Sequence, residues 1–131
     1  MASSGGSTGC AAVLLALAAA LGGCASADEP DVRDVASSFA AGDPQGRCDL
    51  LAPTTVTSLV AEEESTCLEA IAQLPLGSGE VVAVEVWGED ALVQLTDDTL
   101  FLTRVDGGWR VSAAACEPYG DRPYSCQLEA S

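Results

Sequence analysis

The sequence predicts an α+β domain in which N-terminal helices pack on a curved, four-stranded antiparallel meander, preceded by a cleaved signal helix. Three observations lead to this fold class. An uncharged apolar segment ends at Cys24, apolar residues then recur at helical spacing as far as residue 74, and strict alternation begins at residue 80. Helices followed by strands that are joined by short turns are typical of an α+β domain, with the helices on one face of the sheet.

The first 23 residues carry no charged side chain, and residues 11–21 (AAVLLALAAAL) are all apolar. This run is shorter than the roughly 20 residues that a membrane-spanning helix needs, but it fits the apolar region of a secretory signal. The segment Leu21–Cys24 (LGGC) resembles the lipobox of bacterial lipoproteins. The resemblance implies cleavage between Gly23 and Cys24 and attachment of a diacylglyceryl group to the Cys24 thiol.

The leader therefore predicts a protein held by lipid at the extracytoplasmic face of the cell membrane. Residues 1–23 are the predicted signal peptide, residues 24–30 a polar tether, and residues 31–131 a single domain. An ordinary cleaved signal and an uncleaved helix remain the alternatives, because no Lys or Arg precedes the apolar run.

The segment before residue 75 predicts four helices. The first begins at Asp31 and ends before Gly42, with apolar residues on one side. The other three are a short helix over residues 46–51, a helix that begins at Pro53, and a helix over residues 66–74 that Pro75 ends.

After residue 79, alternating residues predict four strands that are joined by tight turns, over residues 80–87, 91–96, 99–105 and 109–115. In the first strand, Val82, Val84 and Val86 are expected to share one face. Asp97 and Asp98 are interpreted as turn residues. The segment 116–126 (CEPYGDRPYSC) is expected to be an irregular loop that its terminal cysteines close.

Four cysteines remain after the leader and the proposed lipid site: Cys48, Cys67, Cys116 and Cys126. An even number of cysteines in an exported domain predicts two disulfides, for which three pairings exist. We favour Cys48–Cys67 and Cys116–Cys126, because the members of each pair are close in sequence. The chain has no histidine and no C-x-x-C motif, so we expect neither a metal nor a cofactor.

The chain has 20 acidic residues against five basic ones, a formal net charge of −15. This balance argues against a nucleic-acid partner, since there is no basic surface to contact phosphates. The charge either keeps the protein soluble or attracts a cationic partner.

The order of helices and strands resembles the nuclear transport factor 2-like superfamily, in which helices and a bent sheet form a cone. The C-terminal part is similar to small secreted actinobacterial lipoproteins, and four groups of residues carry this likeness: Gly108–Val111 (GWRV), Ala115–Cys116, Pro123–Tyr124 and Cys126. The resemblance implies a location and a fold rather than an activity. Enzymes of the superfamily use an Asp, a His or a Tyr in the cone, and no motif assigns such a role here.

Four aromatic residues are candidates for contact with a ligand or partner: Trp87, Trp109, Tyr119 and Tyr124. Packing is nevertheless the interpretation that we favour for each of them, in the core for the tryptophans and over the end of the sheet for the tyrosines. We expect a non-enzymatic binding or accessory role. The alternatives are a small-molecule-binding or enzymatic cone, and an assembly protein that forms a homodimer or binds another protein through the open face of the sheet.

Overall fold

The computed structural model describes residues 27–131, apart from the side chain of Arg122, and has the predicted α+β class. The leader, Gly23 and Cys24 lie outside the described residues. Nine elements follow one another: α1 (27–41), α2 (Pro44–Leu50), α3 (Pro53–Glu63), α4 (Cys67–Ala72), β1 (Val81–Trp87), β2 (Asp90–Leu95), β3 (Thr99–Val105), β4 (Gly108–Tyr119) and β5 (Arg122–Glu129).

Helix α1 buries one apolar stripe against the sheet. Val32, Ala36 and Phe39 are fully buried at helical spacing, as the sequence predicts. The helix already includes residues 27–30, which we had expected to belong to a tether. The Asp28 carboxylate accepts a hydrogen bond from Arg104 of β3 at 2.5 Å, and this ion pair attaches the beginning of the described helix to the sheet.

The three short helices depend on caps and covalent links as well as on burial. Asp43 caps α2 by accepting from the Gly46 amide at 2.8 Å, and Thr66 caps α4 by accepting from the Glu69 amide at 3.2 Å. Helix α2 has no buried residue, and the disulfide Cys48–Cys67 joins it to α4. Both predicted disulfides, Cys48–Cys67 and Cys116–Cys126, are present.

The strands form one antiparallel sheet in the order β1-β2-β3-β4-β5. Asp106 and Gly107 connect β3 and β4 with φ of 50° and 80°, the geometry that two-residue hairpin turns require. The prediction that Val82, Val84 and Val86 share one face of β1 is wrong, because a β-bulge lies between Val81 and Ala83. Because the bulge inserts one residue, Val82 is 60% exposed, whereas Val84 and Val86 pack against the core.

The prediction of four strands and a C-terminal loop is wrong. Residues 116–126 instead belong to a β-hairpin, because β4 continues to Tyr119 and a fifth strand, β5, returns alongside it. Cys116 pairs directly with Cys126, so the disulfide joins two strands. Pro118 and Pro123 hid these strands in the sequence, yet proline is tolerated near the end of a strand and on an edge strand such as β5.

The helices cover one face of the sheet, and the core lies between them. Alternate residues of β2, β3 and β4 are buried there against side chains of α1, α3 and α4, among them Val93, Leu100, Val111, Phe39, Leu59 and Ile71. Thr55 of α3 is also buried, and its hydroxyl donates to the carbonyl of Ser112 at 2.9 Å. Within residues 27–131, no helix combines the length and the apolar character that a membrane crossing needs.

Candidate functional site

The sheet face opposite the helices, here called the open face, carries a cleft of about 620 Å³. On β2 and β3, the residues between the core positions point to this side and are apolar at Leu92 and Phe101. Trp87 ends β1 at one side of the cleft, and its side chain is 49% exposed. Pro123 and Tyr124 of β5 line the cleft from the other side. We call this feature the open-face cleft.

Contact between Phe101 and Tyr124 shows that the hairpin bends towards the open face. Phe101 pairs with Ala113, which pairs with Glu129, and Tyr124 lies five residues before Glu129 along β5. A flat strand of five residues would span about 16 Å. The two ring centroids are nevertheless 5.4 Å apart, with an interplanar angle of 73°. The segments 116–119 and 122–126, here called the outer hairpin, therefore form a wall of the cleft.

The bend begins at Ala115, which has a φ of 53° although it is not glycine. The Asp98 carboxylate accepts hydrogen bonds from the amides of Ala115 and Cys116, at 3.2 and 3.3 Å. It also accepts from the amides of Gly77 and Thr99, at 3.1 and 2.7 Å. Asp98 lies just before β3 begins. Its carboxylate takes the place of the backbone carbonyls of a neighbouring strand, to which these two β4 amides would otherwise donate.

Asp97 holds the loop before β1 in a similar way. Its carboxylate accepts from the amides of Ser78 and Gly79, at 3.0 and 2.9 Å. A Cβ atom at Gly79 would lie 1.9 Å from Oγ1 of Thr96 and 2.8 Å from the Asp97 carboxylate, so the close approach requires glycine. The prediction that Asp97 and Asp98 occupy a turn is therefore incomplete, because their side chains also join separate segments.

Acid is expected to weaken the fold through Asp97. Hydrogen bonds from the Ser78 and Gly79 amides lower the pKa of Asp97 below its ordinary value of 3.8. Because the pKa is lower in the folded state than in the unfolded state, this group contributes its full stability above about pH 5 and loses it as the pH falls through the folded pKa. When the pH is lowered from 5 to 3, the free energy of unfolding in urea should fall more for the wild type than for Asp97→Asn. Equal losses in the two proteins would contradict this role.

Asp90 and Glu129 place two carboxylates at the open-face cleft. In the part of the chain that the structure describes, neither carboxylate takes part in a hydrogen bond or ion pair. The four arginine side chains that the structure describes have partners elsewhere: Arg33 with Glu29, Arg47 with backbone carbonyls, Arg104 with Asp28, and Arg110 with the Asp49 carbonyl. The described side chains that line the cleft are therefore largely apolar and carry a net negative charge.

The structure separates the four candidate aromatic residues. Trp87 and Tyr124 meet at the open-face cleft. Trp109 is 4% exposed and packs in the core, where the Arg104 guanidinium lies 4.8 Å from the centre of its ring. Tyr119 is exposed at the end of β4 and does not line the cleft.

Sequence reasoning missed Asp90, Leu92, Phe101 and Glu129 as site residues. The signal was present in the alternation of β3, where Phe101 lies between two leucines that are buried on the other face. An aromatic residue at a position that the alternation assigns to the uncovered face indicates a contact surface. For Glu129 no such signal existed, because β5 was not predicted.

The space between the helices and the sheet, and the other clefts, are weaker candidates for a binding site. Large apolar side chains, Trp109 and Phe39 among them, occupy the space between the helices and the sheet. A cleft of about 500 Å³ beside Asp49 and Arg110 lacks aromatic residues. Among residues 27–131, no cluster of His, Cys, Asp or Glu could hold a metal ion. Comparison of the chain with family models, with curated proteins and with solved structures found no match.

Proposed function

We propose that this chain is a lipid-anchored protein on the extracytoplasmic face of a bacterial membrane, and that it binds a ligand on its open sheet face without catalysing a reaction. The observation that carries the binding role is the open-face cleft, where an exposed tryptophan lies beside two carboxylates that have no partner among the described side chains. The LGGC segment and the two disulfides support the location, because disulfides persist in oxidising compartments.

The nuclear transport factor 2-like resemblance is part of this proposal. Helices on one face of a bent antiparallel sheet support it. An enzymatic cone is the weaker proposal, because apolar side chains fill the interior. The chain also has no histidine or lysine to act as a general base at neutral pH.

A domain that starts a few residues after Cys24 would be held close to the membrane surface. Each methylene group of a lipid contributes about 0.8 kcal/mol to anchoring, so two acyl chains on Cys24 would make attachment stable. The net charge of −15 would disfavour contact between the domain and anionic headgroups. The domain would then remain accessible to ligands from the aqueous side.

The anchor is tested by growing a producing bacterium with radiolabelled palmitate. We expect the full-length protein to incorporate the label, and Cys24→Ser to lose it completely because the acceptor thiol is gone. Cys10→Ser is the matched control and should keep the label, since Cys10 lies in the predicted signal peptide. Label that persists in Cys24→Ser, or that is absent from the wild type, would disprove the anchor.

A further inference from the structure

We infer that the open-face cleft binds a small organic cation that carries an apolar group, such as a quaternary ammonium with an aromatic substituent. This inference rests on the proposal that the open face is the binding surface, and it adds the chemical class of the ligand. Three properties of the cleft carry it: its aromatic surfaces, its charge and its size.

The aromatic surfaces suit the cationic part of such a ligand. Trp87 is half-exposed at one side of the cleft, and the edge-to-face pair of Phe101 and Tyr124 lies towards the other side. The face of an aromatic ring attracts cations, and tryptophan does so most strongly. Leu92 and Ala113 also line the cleft and provide apolar contact for the uncharged part of the ligand.

The charge of the described side chains at the cleft disfavours anions and favours cations. Asp90 and Glu129 line the cleft without ionic partners among the described residues, and Glu85 of β1 lies on the same face because it pairs with Leu92. These carboxylates are exposed, so they attract a cation through solvent and salt screens that attraction. An organic cation is also easier to desolvate than a metal ion, and the apolar walls offer too few oxygen ligands for a metal.

The size of the cleft and its charge also distinguish between occupants. About 620 Å³ lies within the range of roughly 300–1,000 Å³ that is typical of small-molecule sites. A second copy of this chain is disfavoured, because two open faces would bring the carboxylates of Glu85, Asp90 and Glu129 against their equivalents in a protein of net charge −15.

The test is a titration of the detergent-solubilised full-length protein with benzyltrimethylammonium, and with benzyl alcohol as the neutral counterpart. Trp87 and Trp109 are the two tryptophans, and Trp109 is buried, so a change in fluorescence reports mainly on the cleft. We expect benzyltrimethylammonium to bind at least about fivefold more tightly than benzyl alcohol. The difference should shrink as salt screens the carboxylates.

Variants locate the site, with binding followed by ligand-observed NMR. Trp87→Leu and the double variant Asp90→Asn, Glu129→Gln should each weaken binding of the cation about fivefold or more. The matched control is Glu62→Gln, Glu63→Gln, which removes two exposed carboxylates from α3 and should leave binding unchanged.

Each other outcome overturns the inference in a recognisable way. Equal affinity for benzyl alcohol would reject the cationic class and leave the open face as a binding surface. Binding of a peptide rich in arginine and tryptophan, with no binding of the small cation, would identify a protein partner instead. A concentration-dependent dimer that protects Trp87 would identify a second copy. Absence of binding by every probe would reject the binding role itself, whatever the fate of Cys24.

Discussion

Replacing Asp98 with alanine is expected to lower the free energy of unfolding by about 3 kcal/mol. The substitution removes the acceptor for four backbone amides, and three of these belong to the buried residues Gly77, Ala115 and Cys116. Each buried donor that is left unpaired costs roughly 1–3 kcal/mol, whereas Thr99 is only partly buried and water can pair with its amide more readily. The loss should be measured by urea unfolding at pH 7.

Asp97→Ala is the matched control for this prediction. Asp97 is adjacent, carries the same charge and accepts from two amides, but these belong to Ser78 and Gly79 near the surface. We expect Asp97→Ala to lower the free energy of unfolding much less than Asp98→Ala at pH 7, because the amides that it leaves unpaired can bond water. Asp98→Asn should lie between the two aspartate-to-alanine variants, because an amide keeps one acceptor oxygen. If both alanine variants are equally stable, Asp98 does not hold the bend of the hairpin.

Removing the disulfide between α2 and α4 is the second large effect that we expect. The double variant Cys48→Ala, Cys67→Ala should lose about 3 kcal/mol, the value that the chain-entropy relation gives for a loop of this length. The two cysteines are 19 residues apart. The loss should be concentrated at α2, because that helix has no buried residue and depends on this bond and on Arg47. Hydrogen exchange should show that the amide exchange rates increase most in α2.

The other disulfide provides the comparison. Cys116 and Cys126 are 10 residues apart and already face each other as paired residues of β4 and β5. Their double alanine variant should lose less than the Cys48, Cys67 variant, about 2 kcal/mol, because the loop is shorter and the strand pairing also holds the ends together. A larger loss from the Cys116, Cys126 variant would show that the disulfide, rather than the strand pairing, keeps the outer hairpin in place.

The sequence predicts the helical part well, because short-range signals determine where these helices lie. The stripe of Val32, Ala36 and Phe39 predicts the buried face of α1, and Pro53 marks the beginning of α3. The hairpin turn at Asp106–Gly107 is equally local, since few residues other than glycine and asparagine or aspartate adopt positive φ. In each case the determining residues lie within a few positions of the feature.

Features that depend on residues far apart in the sequence cannot be predicted from such local patterns. Strand β5 exists because β4 offers an edge and Cys116 bonds Cys126, and these two effects outweigh the prolines at 118 and 123. The exposure of Val82 follows from a bulge, for which the alternating valines of β1 give no sign. Asp98 collects its partners from three separate parts of the chain, so no local pattern distinguishes it from an ordinary turn residue.

The candidate site combines residues that the sequence identifies with residues that depend on long-range structure. Trp87 and Tyr124 were identified from the sequence, and the structure brings both to one cleft. Whether an aromatic residue on a strand is buried or exposed depends on which face the helices cover. Trp109 lies beneath Arg104 on the covered face, whereas Trp87 lies on the open one.

Intact mass spectrometry of the protein purified from membranes is the sharpest test of a binding domain that lipid holds at Cys24. We expect a chain that begins at Cys24, lacks residues 1–23, and carries a diacylglyceryl group on the Cys24 sulfur. A mass that corresponds to an unmodified Cys24, or to a mature chain that begins after it, would show that lipid at Cys24 does not anchor this protein.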